Sequence, residues 1–227
     1  MQNLETRHKD GNGSSLCFPV HSFLDPEVTF TVSADYTTYG IADMIAHCFE
    51  NFFSVSDCSL SDRFITAIIA DAMEWGPKLM DNLPRCDERA AVMYDATIAL
   101  NTMTGNGKGG GDWGVHGMGH ILSLLHGAPH GGSLSIIFPA WKKHLNKKAE
   151  KRISRLETLF FGNGDVDATT LRFEEFFTRI WCPGSFVAGG DWGEFEEIVQ
   201  LMIRNKVEGR SYKLAEDDYL KIMDLAK

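Results

Sequence analysis

From Thr37 to the C-terminus the chain sets apolar residues three and four positions apart, segment after segment, and only a helix turns that spacing into a continuous face. In TTYGIADMIAHCFENFF, Ile41, Ile45, Cys48, Phe49 and Phe52 form one stripe. LSDRFITAIIADAMEW and DERAAVMYDATIALNTM repeat the pattern, each opening on a Ser or Asp suited to capping free N–H groups. The spacing predicts further helices at about 113–126, 130–145, 148–161, 167–181, 191–205 and 215–226, punctuated by Gly, Pro or Asp. Only VTFTVS (Val28 to Ser33) alternates as a strand does, and one short run does not make a sheet. Residues 1–26 carry no sustained period and are expected to form an irregular arm, followed over 27–227 by a mainly α domain of about eight or nine helices.

With 227 residues, 44% of them hydrophobic, the chain can bury a sizeable core. Its 22 basic and 31 acidic residues give a net charge of −9, which offers no positive field for a nucleic-acid backbone or an anionic membrane surface. A cation or a neutral small molecule suits it better. Cys17, Cys48, Cys58, Cys86 and Cys182 are odd in number and scattered, which predicts reduced thiols serving as small buried apolar side chains in a cytoplasmic protein. No basic segment followed by an apolar one opens the chain, and no apolar run approaches the length of a membrane span.

HGMGHILSLLHGAPHGG, residues 116–132, holds four of the eight histidines among Leu, Ile and Met. His116 and His120 stand at i, i+4, on one face of the predicted helix. His126 falls about 80° off that face if the helix runs on unbroken. Gly127 and Pro129 end the helix, so His130 can open the next one and return to the same site from another direction. Asp43 and His47 form a second i, i+4 pair within an apolar stripe, where a carboxylate is costly unless paired. Imidazole and carboxylate together suit a borderline divalent ion such as Zn²⁺ or Fe²⁺. An Asp with three His would leave a net charge of +1 around such an ion, suited to favouring an alkoxide over its alcohol at an open position. A lone HxxxH is more often surface or core histidine than ligand, and Gly117 stands where a metalloprotease HExxH needs its Glu. His8, His21 and His144 lie outside these motifs and are expected at the surface.

GNGKGGGD (105–112) satisfies the letters GxGxxG, but a helical segment precedes it, no acidic residue follows at the required distance, and Lys108 is followed by Gly109 where a P-loop has Ser or Thr. It is expected to be a flexible connection whose Asp112 caps the following helix.

GIADMIAHCFE followed by DWGVHGMGHILSLLHGAPHGGSLSIIFPAW resembles the C-terminal half of the iron-containing (group III) alcohol dehydrogenases, in their butanol dehydrogenase-like branch. FLDPEVTFTVS before the first helix and YKLAEDDYLKIMDLA at the end extend the likeness over almost the whole chain. The resemblance implies an all-helical metal-binding domain of an oxidoreductase that interconverts small alcohols and aldehydes with NAD(P). Asp43, His47, His116 and His130 match the family's ligands for iron or zinc, His120 the histidine beside nicotinamide and substrate, and His126 a further histidine of this branch. On this basis His120 and His126 are candidates for substrate contact or proton transfer, with packing behind the site as the other role open to them. The family's N-terminal dinucleotide-binding domain has no counterpart here, so the chain is expected to be a fragment or truncated form with little activity alone, paired with a second copy or with a separate nucleotide-binding chain. The alternatives are a non-catalytic metal-binding helical module for assembly and a lyase of the dehydroquinate synthase type.

Overall fold

The computed structural model describes every residue except 12, 163–165, 190–191 and 193–194. Ten α-helices are present among the described residues: α1 (Ala34–Phe52), α2 (Ser59–Asp81), α3 (Cys86–Leu100), α4 (Gly114–His126), α5 (His130–Leu145), α6 (Glu150–Phe161), α7 (Val166–Arg179), α8 (Phe186–Gly189), α9 (Phe195–Arg204) and α10 (Glu216–Leu225). The expected all-helical architecture is the observed one. The expected start of the helix at 191–205 falls partly outside the described residues, and the short α8 has no counterpart in the periodicity.

α5 is the axis of the fold. Nearly every residue from Gly131 to Lys142 is buried, as expected of a helix apolar on all sides, and it packs against α1, α4, α7 and α10. Phe138 stacks on Phe49 of α1 with ring centroids 4.1 Å apart, and Phe173 of α7 meets Phe49 edge-on at 4.8 Å. The approach of α5 to α1 depends on glycine: a Cβ on Gly131 would lie 1.8 Å from the carbonyl oxygen of Tyr39, inside any possible contact. This packing brings the N-terminus of α5, with His130, alongside α1.

The strand-like alternation at Val28–Ser33 does not give a strand. Asp25 caps the N–H of Glu27 at 3.0 Å, starting a 3-10 turn over Pro26–Thr29, and the Ser33 side chain caps α1 through the N–H of Tyr36. Alternation without a partner strand loses to these local bonds. The arm is more ordered than its composition suggested. Gln2–Asn3 pairs antiparallel with His8–Lys9, and Arg7 and His8 reach Glu197 on α9 and Asn205 just beyond it. The expected caps of α2 and α3 are not realised: the residues preceding them, Cys58 and Arg85, make no side-chain cap bond. Two histidine and cysteine expectations also need correction. His144 is largely buried, 2.7 Å from an Asp218 oxygen, whereas Cys17 and Cys86 are exposed and only Cys48 and Cys182 are buried. No helix among the described residues is long and apolar enough to cross a membrane.

Candidate metal centre

α1 carries Asp43 and His47 one turn apart, α4 carries His116 and His120 one turn apart, and α5 opens on His130. The bundle turns these three elements toward one point, the Oδ1 atom of Asp43. His130 Nε2 lies 3.3 Å from it, His116 Nε2 3.6 Å and His47 Nε2 3.8 Å. The donor atoms of Asp43, His116 and His130 all lie within 4.8 Å of one another. Asp43 Oδ1 and His116 Nε2 are both buried and neither makes a hydrogen bond. Buried polar atoms without partners are costly unless something else satisfies them. Donors about 2.1 Å from a tetrahedral ion stand about 3.4 Å apart, so the spacing and chemistry of this set fit a divalent transition metal.

The electrostatics favour positive charge at this point. Burial alone would raise the Asp43 carboxyl, but contact with His116 and His130 holds it below the usual carboxylate range. His116 is disfavoured as a cation by burial, yet Asp43 and Glu50 on either side raise it to about 9. His47 is lowered to about 4 by burial and the neighbouring His116, leaving it neutral near pH 7.

His120 stands beside this group, its ring centroid 5.2 Å from His130 and 6.5 Å from His116, and burial lowers it to about 4. His126 is turned elsewhere: its ring meets Trp192 at 5.4 Å and lines a separate cavity of about 190 Å³ with Tyr39 and Pro129. A larger cavity of about 570 Å³ adjoins the Asp43 cluster, with His47, Trp113, Asn51, Leu100 and Arg210 among its walls.

Glu50 escaped the sequence reading. It is 2% exposed, one turn beyond His47, and its carboxylate accepts the backbone N–H groups of Trp113 at 2.5 Å and His116 at 3.0 Å. Its Oε1 also lies 3.3 Å from His116 Nδ1. The available signal was its position, i+7 from Asp43 and i+3 from His47, on the face that carries both.

The 105–112 segment is anchored where a flexible connection was expected. Lys108 is fully buried and ion-paired with Asp62, and the Asn106 carbonyl accepts the Ser61 hydroxyl at 2.6 Å. Gly107, Gly109 and Gly110 have positive φ, which lets the chain fold back this tightly. Asp112 does meet the N–H of Gly114, at 3.3 Å, but it also accepts those of Ser211 and Tyr212 at 2.8 Å each, tying the start of α4 to the chain before α10.

A bundle that gathers an aspartate and three histidines from three helices presents a donor set of the kind that a divalent metal accepts. Residues 37–224 match the C-terminal domain of the Fe-containing alcohol dehydrogenase family, and the chain belongs to that family. It is 34% identical over 235 residues to the probable NADH-dependent butanol dehydrogenase 1 of Bacillus subtilis, a match covering 97% of this chain and 59% of that protein. Over 172 residues it is 33% identical to the NADPH-dependent aldehyde reductase YqhD of Escherichia coli, covering 73% of this chain and 44% of that one. The crystal structure of NADH-dependent butanol dehydrogenase A from Thermotoga maritima superposes on all of the chain with a TM-score of 0.92 at 29% identity, and the match spans 61% of that structure. The chain thus spans about three fifths of the length of the Bacillus and Thermotoga relatives.

Proposed function

We propose that this chain is the metal-holding part of an NAD(P)-linked oxidoreductase that interconverts small alcohols and aldehydes, with Asp43, His47, His116 and His130 as ligands of one Fe²⁺ or Zn²⁺ ion. The observation that carries the reading is the convergence of three imidazole Nε2 atoms within 3.8 Å of one buried carboxylate oxygen, next to a cavity of substrate size. A divalent ion there supplies the positive charge that polarises a hydroxyl or carbonyl oxygen.

The chain's own residues do the rest. His47 and Trp113 form the cavity wall on the side of the cluster, and Leu100 adds apolar surface that excludes water from a bound substrate. His120, neutral near pH 7, is the proposed group for proton exchange or contact with substrate and nicotinamide. For His126, edge-on to Trp192, packing behind the site is the role its surroundings support. Among the described residues the only strands are two residues long, so no strand-to-helix phosphate turn is available. The grip on the dinucleotide is therefore proposed to come from outside residues 1–227, through a further segment or a second chain. The names of the relatives, NADH-dependent and NADPH-dependent, support nicotinamide chemistry for this chain and leave both cofactors open.

Elemental analysis of the purified chain tests the centre: about one divalent ion per chain is expected, and metal content unchanged in a His116→Ala, His130→Ala double variant refutes the ligand set. Positioning of nicotinamide against substrate contributes on the order of 7–11 kcal/mol to such a reaction. The metal-loaded chain alone should accordingly show little oxidation of butanol or reduction of butanal with either cofactor. Ordinary dehydrogenase turnover, abolished by Asp43→Ala, would instead place the nucleotide site within these 227 residues.

A further inference from the structure

Glu50 makes three contacts with two neighbouring parts of the site. Oε1 meets both the backbone N–H and the ring Nδ1 of His116, and Oε2 accepts the N–H of Trp113. Its own carbonyl accepts the N–H of Asp112 at 2.9 Å. Among the described residues no lysine or arginine pairs with this nearly inaccessible carboxylate; His116 is its only ion-pair partner, and the nearby Asp112 carboxyl is raised in part by the Glu50 charge. The other nitrogen of that ring, Nε2, is the buried atom that faces Asp43 and makes no hydrogen bond.

We propose that Glu50 is the positioning residue of the metal cage. It accepts a hydrogen bond from His116 Nδ1, which keeps a proton on that nitrogen and leaves Nε2 as the atom that an ion takes, and the same carboxylate holds Trp113 in the cavity wall. The inference rests on the cage reading above. An ion binding at Nε2 displaces any proton held there, and a carboxylate beside Nδ1 can only accept, so the ring's remaining proton belongs on Nδ1 and the Nε2 lone pair goes to the ion. A carboxylate behind a ligating imidazole also makes it a better donor to the ion. Trp113 shares in this arrangement. It has φ +66°, a left-handed conformation uncommon for a tryptophan, and its ring stands edge-on to His47 at 5.5 Å and to His116 at 5.3 Å. Its N–H bond to the Glu50 carboxylate, beside that of Asp112 to the Glu50 carbonyl, ties that backbone turn to α1.

A purely structural role is the competing account, in which Glu50 only caps the first turn of α4. The two accounts separate in Glu50→Gln, which keeps one acceptor oxygen for the backbone but loses the charge behind His116. Zinc affinity should be measured by competition with a chromophoric chelator, on wild type and on Glu50→Gln, together with the melting temperature of each zinc-free form. The inference expects a 10- to 100-fold weaker zinc affinity, on the order of the loss seen when a carboxylate behind a metal ligand is removed. Affinity within about twofold of wild type in a folded variant overturns it. In zinc-loaded wild type labelled with ¹⁵N-histidine, long-range ¹H–¹⁵N spectra should place the His116 proton on Nδ1. A proton on Nε2 overturns the inference even if the variant fails to fold. If wild type takes up no zinc the cage reading falls and this inference with it; if wild type binds zinc and Glu50→Gln binds it equally, this inference alone falls.

Discussion

Asp62 offers a severe test of how the wall of the site is held. It is fully buried in the first turn of α2 and serves three cations: Lys108, fully buried; Arg152, bidentate at 2.7 and 3.0 Å; and Arg155 at 2.5 Å. Asp62→Asn keeps the shape and removes the anion. Arg155, more than a third exposed, can relax toward water, and Arg152 retains Asp57 at 2.8 Å and the Phe52 carbonyl at 2.6 Å. Lys108 keeps no ion pair, only the longer-range charge of the exposed Asp57, and an orphaned buried charge costs about 3–5 kcal/mol. At about 2–4 °C per kcal/mol for a domain of this size, that is a fall in Tm of about 6–20 °C. Lys108→Met runs the other way, since it removes a buried cation, fills its volume and leaves Asp62 with two arginines, so a change within about 1 kcal/mol is expected. Urea unfolding followed by circular dichroism at pH 7 measures both. A Lys108→Met cost equal to or greater than that of Asp62→Asn would refute the accounting. Burial alone would raise the Asp62 carboxyl, but Arg152, Lys108 and Arg155 hold it below its usual range. Its contribution is therefore present above the unfolded value of about 3.9 and is lost only as pH falls below it.

Chelation of metal from protein first shown to contain it should lower Tm by about 5–10 °C if the ion had been at about 100 times its Kd, and superimposable melting curves would count against a buried site. Asp95 is raised to about 7 by burial and the charge of Asp71, so the folded state holds a proton that the unfolded chain gives up. That contribution is present below about pH 4 and is lost as pH rises through about 7; Asp95→Asn should remove a decline on the order of 1–3 kcal/mol between pH 5 and 8, and denaturant titrations with the same pH dependence in both proteins would exclude it. Gly131→Ala should cost at least the upper end of the about 1–3 kcal/mol typical of overpacking, because the obstacle is the backbone of Tyr39, and it should loosen metal retention through the adjacent His130; a variant as stable as wild type would contradict the packing of α5 on α1.

The helices were legible because their spacing is a direct imprint of burial. α5 starts and ends where the period says, at His130 and Leu145, with Gly127 and Pro129 forcing the break before it. The exceptions arise where short-range side-chain bonds decide the backbone. Val28–Ser33 has the alternation of a strand, but Asp25 and Ser33 bond to N–H groups two and three residues ahead and no second strand competes for them. The opening of α2 fails in the opposite sense. Asp62 and Ser61 look like residues for the start of a helix, and both are instead committed to the loop folded over them, Asp62 to Lys108 and Ser61 to the Asn106 carbonyl. Three glycines beside Lys108 suggested a loose loop, whereas their positive φ values make a tight one possible.

The difference between the histidines and Glu50 is one of range. An i, i+4 pair is a local statement: once α1 and α4 are helices, Asp43 must stand near His47 and His116 near His120 whatever the rest of the chain does. Glu50 acquires its role only from partners 63 and 66 residues away, and Asp62 its arginine partners 90 and 93 residues away. What the sequence does contain is the conflict. Glu50 sits within two residues of Phe49 and Phe52, which the helical period drives inward, and the energy of burying a carboxylate requires a donor there. Periodicity thus marks such a residue as one that must be paired, and the fold determines the partner. Here the partner is the ring of His116, whose other nitrogen faces Asp43.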